Sequence, residues 1–127
     1  MEEKFHLSQF STNAARAYDP QVLRPIARSV EAAHRAGISI EVCGEAASDP
    51  LMLPLLVGLG VDELSVGAAQ VGVARRWIWR LTAEDADTLS RSALEMNSAE
   101  EVEQSLRPLA GKLQSPEPGE LVPALGA

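Results

Sequence analysis

The sequence predicts an α/β fold with parallel strands. Helical and strand patterns alternate as helix, strand, helix, strand and then helices, the order that crossover connections between parallel strands require. Ile38 to Cys43 alternates with a period of two, and Asp19-Pro20 and Asp49-Pro50 each pair a capping residue with a proline suited to a first helical turn.

Taken in order, Met1 to Leu7 reads as a short strand or an expression remnant, with a loop to Ala17. From Asp19, the residues Val22, Leu23, Ile26, Val30, Ala33 and His34 recur at helical spacing, and Gly37 is a natural stop. Pro25 in the second turn predicts a kink or a late start. In the strand that follows, Ile38, Ile40 and Val42 share one face and Ser39, Glu41 and Cys43 the other. A loop, Gly44 to Ser48, leads to a short helix ending near Val57 at Gly58 and Gly60, and Val61 to Val66 forms a second strand.

A helix over Gln70 to Arg80 comes next. Thr82 with Asp85, and Ser98 with Glu101, have capping-box spacing and start two more helices. Trp77 and Trp79 lie two apart, so one belongs to the core and the other to an interface. Residues 18–112 are expected to be the folded unit, with 1–17 a partial strand and loop. Prolines and glycines over 113–127 predict a disordered tail.

Composition narrows the function classes. A net charge of -7 argues against a nucleic-acid partner, and the cluster Arg75, Arg76 and Arg80 reads as the solvated edge of a helix. The single cysteine excludes an internal disulfide and a multi-cysteine zinc site. No apolar run is long enough to span a bilayer, so a cytoplasmic protein without membrane contact is expected. His6 and His34 have no acidic partner at ligand spacing, and no metal-ligating residue is assigned. Glu100, Glu101 and Glu103 suit the first turn of a helix.

The chemistry points to Cys43-Gly44-Glu45 at the C-terminal end of a strand, where parallel α/β folds collect reacting groups. A thiol there can give or take a proton, whereas a lone cysteine is otherwise most often a small buried apolar residue.

The run Glu41-Val42-Cys43-Gly44-Glu45-Ala46-Ala47-Ser48-Asp49-Pro50, followed by Leu55-Leu56-Val57-Gly58-Leu59-Gly60-Val61-Asp62-Glu63-Leu64-Ser65, resembles the signature of phosphoenolpyruvate-utilising enzymes. That signature is close to C-G-E-x-A-G-D-P and then L-L-G-L-G-x-D-E-x-S. Within the group the chain is most similar to phosphoenolpyruvate-protein phosphotransferases, Enzyme I of the sugar phosphotransferase system. The resemblance runs from about Phe5 to Arg107.

The resemblance implies the C-terminal portion of a (β/α)8 barrel, incomplete as a single chain. It implies phosphoenolpyruvate as substrate, pyruvate as product, and transfer of the phosphoryl group to a histidine on a separate domain. Cys43 matches the cysteine that protonates the enolate. Gly44 would admit substrate and Glu45 would orient the loop. The run Leu7 to Arg16 aligns with a loop usually reading T-N-D-L-T-Q-Y-T-L-A-x-D-R, so Arg16 falls on the phosphate-contacting arginine.

Departures are equally specific. His6 replaces the Mg²⁺-binding aspartate and Phe5 the asparagine, and imidazole is a poor ligand for hard Mg²⁺. The resemblance therefore implies Mg²⁺ for the intact family without extending it to this chain. About ten residues after Arg16 are missing, Ser48 replaces a loop glycine, and Ser65 to Gln70 departs from S-M-S-A-P-S. The phosphohistidine domain and the first five barrel strands lie outside this sequence, so the isolated chain is expected to be inactive. The alternative is a degenerate, non-catalytic module of the same fold. Two or three strands leave open sheet edges, which predicts self-association into a homo-oligomer.

Overall fold

The computed structural model describes residues 18–116 in full and residues 4–6 by their backbone. Three strands form one parallel sheet in the order β1 (Lys4–His6), β2 (Ser39–Cys43), β3 (Glu63–Ser65). Register pairs Phe5 with Ile40 and His6 with Glu41 on one side of β2, and Glu41 with Glu63 and Cys43 with Ser65 on the other. The helices are α1 (Pro20–Arg35), α2 (Met52–Gly58), α3 (Val71–Arg80), α4 (Ala83–Leu94) and α5 (Ala99–Gln114). The α/β class and parallel pairing expected from the element order are therefore present.

Asp19 starts α1 by accepting the Gln21 N–H at 2.9 Å. The helix runs unbroken through Pro25, without the late start that this proline suggested. Only an N–H in its second turn is forfeited, and Leu23, Ile26, Val30 and Ala33 still bury one continuous stripe. His34, grouped with that stripe in the sequence, is exposed, and its ring instead meets Asp62 at 2.8 Å. Gly37 has φ +74 and ends the helix where expected.

Ile40 and Val42 of β2 turn into the main core with Leu23, Ile26, Met52, Leu55, Leu56, Val102 and Leu106. A second cluster joins Leu53, Ala74, Trp77 and Leu113, tying α2 to α3 and α5. Trp77 is accordingly core at 8% exposure, while Trp79 stands 85% exposed. Thr82 accepts the Asp85 N–H at 3.1 Å and Ser98 the Glu101 N–H at 3.2 Å, as their spacing predicts. The return arm of the second box differs: Glu101 accepts from Asn97 N–H rather than from Ser98.

Arg75 and Arg76 lie on the solvated edge of α3. Arg80 departs from that reading, because its Nη1 donates to the Leu113 and Ser115 carbonyls at the end of α5. Glu100 and Glu101 are exposed, and Glu103 pairs with Arg107 at 2.9 Å. Helix α5 reaches Gln114 and buries Leu113, at the boundary where the sequence places a tail. Residues 117–127 lie outside the described residues.

Candidate functional site

The central strand delivers Cys43 to its C-terminal end, and the thiol is half-buried. Period-two alternation puts Cys43 on the face of Glu41, opposite the core-facing Ile40 and Val42. Cys43 Sγ donates to Glu41 Oε1 at 3.2 Å. The Ser65 hydroxyl, brought beside Cys43 by the β2–β3 register, donates to the same oxygen. Glu41 is only 7% exposed, although its face of the strand is polar. A carboxylate this buried requires hydrogen-bond donors, and the thiol and hydroxyl supply two.

Gly44 follows with φ 97 and ψ -165, a conformation essentially reserved for glycine. It turns the chain from β2 into a short 3-10 turn, Glu45–Ser48. Glu45 opens that turn and is exposed, while Ala46 and Ala47 are buried and anchor it. Ser48, where the resemblance expects glycine, donates its hydroxyl to the Glu45 carbonyl at 3.2 Å. Asp49 then caps α2, accepting from Leu51 N–H at 2.8 Å and Met52 N–H at 3.3 Å.

The structure thus brings Cys43, Gly44 and Glu45 together at one βα loop. Arg16, the expected phosphate-contacting residue, lies outside the described residues, and His6 is placed by backbone register alone. Among the described residues no group of three His, Cys, Asp or Glu side chains converges as a metal site. The sequence reading placed Glu41 and Cys43 on one face but did not foresee the burial of Glu41. Its convergence with Ser65 was also missed, because that depends on the register between two strands distant in sequence.

A separate cleft is lined by Tyr18, Asp19, Gln21, Asn97, Ser98, Glu100 and Glu103. Burial raises the Tyr18 phenol above its ordinary value, with Glu103 and Asp49 adding to the effect.

A parallel strand ending in a thiol, a glycine at positive φ and a helix whose first N–H groups meet Asp49 together define an α/β segment with a thiol at the mouth of a βα loop. The chain belongs to the PEP-utilising enzyme family, whose PEP-binding domain matches residues 6–83. It is 40% identical over 85 residues to the phosphoenolpyruvate-protein phosphotransferases of Geobacillus stearothermophilus and Bacillus subtilis (strain 168), covering 67% of this chain and 15% of each relative. The enzyme of the same name from Staphylococcus epidermidis is 39% identical over 93 residues, 73% of this chain and 16% of that protein. The chain therefore spans about 15% of the length of the relatives it matches. Among the described residues no helix is long and apolar enough to cross a membrane.

Proposed function

We propose that this chain is the C-terminal segment of a phosphoenolpyruvate-protein phosphotransferase and supplies the proton donor of its reaction. The observation that carries the reading is Cys43, a half-buried thiol at the C-terminal end of the central parallel strand, next to Gly44. The three strands would then be part of a (β/α)8 barrel completed by residues from elsewhere. Phosphoenolpyruvate gives its phosphoryl group to a histidine on a separate domain, leaving the enolate of pyruvate. The S–H bond of Cys43 breaks, a C–H bond forms at the enolate methylene carbon, and pyruvate leaves behind a thiolate. Gly44 lets the substrate approach the backbone closely, Glu45 orients the loop, and Arg16 contacts the phosphate. The reading places the reaction in the cytoplasm and in sugar uptake.

The donor set of this chain does not fit Mg²⁺. The position of the family's metal-binding aspartate is occupied by His6, and the described acidic groups do not converge. No step is routed through the ion, whose oxygen ligands would have to come from the rest of the barrel.

The test joins this chain to the phosphohistidine domain and the remaining barrel strands and follows pyruvate release. Cys43→Ala is expected to lower release by about 100-fold or more, the scale of a lost general acid. Near-normal release would sink the reading.

A second reading, a non-catalytic module that self-associates, is favoured by one observation. Trp79 is 85% exposed on α3, with Val73 at 40% and Ile78 at 39%. An exposed side chain as large and apolar as Trp79 suits a contact site.

A further inference from the structure

We infer that the cleft between the starts of α1 and α5 is a binding site for an organic cation, an ammonium or guanidinium head group, held by Tyr18, Asp19 and Glu100. The inference stands apart from the reading of Cys43 and does not depend on it.

The cleft holds about 360 Å³, within the range of small-ligand sites. Tyr18 is its buried part, at 9% exposure. A buried phenol ordinarily finds a hydrogen-bond partner. Among the described residues the Tyr18 hydroxyl has none. Yet no fully enclosed side-chain oxygen or nitrogen among them lacks a partner. The hydroxyl therefore reaches open space, and the space that Tyr18 lines is this cleft.

Three carboxylates, Asp19, Glu100 and Glu103, line the same cleft. Glu103 is balanced by Arg107 at 2.9 Å. Asp19 uses Oδ1 to accept the Gln21 N–H at 2.9 Å, which leaves Oδ2 open. Glu100 is exposed, and its carboxylate has no hydrogen bond or ion pair among the described residues. Negative charge is thus in excess beside the open phenol. The same field acts on Tyr18 itself: burial comes first in raising its phenol, Glu103, Asp49 and Glu100 add to the effect, and Arg107 opposes it without cancelling it.

Two helices begin at the cleft, and helix starts ordinarily attract anions. Here their donors are largely taken. Pro20 brings no N–H to α1, and the N–H groups of Gln21, Val22 and Leu23 all go to Asp19. In α5 the Glu101 N–H goes to the Ser98 hydroxyl at 3.2 Å and the Val102 N–H to the Ser98 carbonyl at 3.3 Å. An anion would meet carboxylates and few donors. A small metal ion fits no better, because among the described residues no three His, Cys, Asp or Glu side chains converge. Acceptors set apart in this way suit a broader cation that carries several N–H donors of its own.

Tyr18 is the single tyrosine of the chain, so its ring resonances in an NMR titration report on this cleft. At constant ionic strength, methylguanidinium is expected to shift them along a saturating curve, with half-saturation at roughly millimolar concentration. Tetramethylammonium, equal in charge but without N–H donors, should not saturate. Asp19→Asn retains a capping side chain, and Glu100→Gln keeps the shape of its residue. Together they should weaken methylguanidinium binding roughly fivefold or more. Glu31→Gln, a charge removal elsewhere on α1, should leave it unchanged. A linear shift, an equal response to tetramethylammonium, or undiminished binding by the folded double variant overturns the inference. If the double variant does not fold, the contrast between the two cations on the wild type decides. Saturation by sulfate in place of methylguanidinium also overturns it and returns the cleft to its helix ends. A capped glycine–arginine–glycine peptide separates the sources of the head group. Tighter binding than methylguanidinium identifies a polypeptide's arginine, and equal or weaker binding a free small cation.

Discussion

Asp62 Oδ2 accepts the Ile40 backbone N–H at 2.9 Å and meets His34 Nε2 at 2.8 Å. One carboxylate thereby joins the end of α1, the start of β2 and the entry to β3. The hydrogen bond from His34 is the main cause that holds its carboxyl below the ordinary 3.8, and the Ile40 N–H adds to it. The sign follows from linkage: a lowered folded-state value contributes stability that is fully present above about 3.8 and is lost as pH falls through the lowered value. The effect is modest, because the side chain is 38% exposed and solvent screens it. Urea midpoints measured from pH 5 down to pH 2.5 should therefore fall more steeply for the wild type than for Asp62→Asn. Parallel curves would refute that role for Asp62. Such single-residue roles divide by distance. The sequence gives away Cys43 and Gly44, because strand ends and glycines announce themselves locally. It hides the Asp62–His34 and Glu41–Ser65 pairs, whose members are 28 and 24 residues apart and meet only after the strands align.

Helices α2 and α4 approach each other closely at Gly58. A Cβ there would press on the Ala86 carbonyl, 2.6 Å from its carbon, and on the Ser90 hydroxyl. Both obstacles are fixed: Ala86 is backbone, and Ser90 Oγ is buried and donates to that same carbonyl at 2.8 Å. Gly58→Ala should therefore separate the two helices and destabilise the chain by about 1–3 kcal/mol, despite the better helix propensity of alanine. Thermal or urea unfolding checks this, and a stabilised variant would contradict the close approach. The sequence reading took Gly58 as a stop signal, yet α2 includes it. Its other constraint comes from α4, which local patterning cannot see. The same limit applies to helix ends. Caps at Asp19, Thr82 and Ser98 act over two or three residues and were legible. Arg24, by contrast, donates from α1 to the Leu94 and Met96 carbonyls, 70 and 72 residues away, and Arg80 closes α5 in the same manner. Nothing in the local pattern distinguishes these arginines from solvated ones.

At the scale of the whole molecule, β1 and β3 are the outer strands of the sheet, and among the described residues each has a partner on one side alone. Unpaired edges attract further strands, and α3 adds Trp79, Ile78 and Val73 to the surface. Arg75 and Arg76 on the same helix keep that surface from being wholly apolar and favour an ordered contact over indiscriminate aggregation. Both features suit a segment whose remaining contacts lie outside these residues, in the rest of the proposed barrel or in a second copy. The isolated chain has only the second option, so its mass in solution should exceed 13.6 kDa and rise with concentration. Trp79→Lys, which sets a further cation beside Arg75 and Arg76, should return it to a single chain. Iodide quenching supplies an independent reading, since Trp77 at 8% exposure is a shielded reference within the same helix. Self-association should shield Trp79 at high concentration and leave Trp77 unchanged. A mass fixed at one chain, with Trp79 quenched at every concentration, would remove self-association as this segment's means of covering its edges. The proposed barrel would then remain as the way to cover those edges.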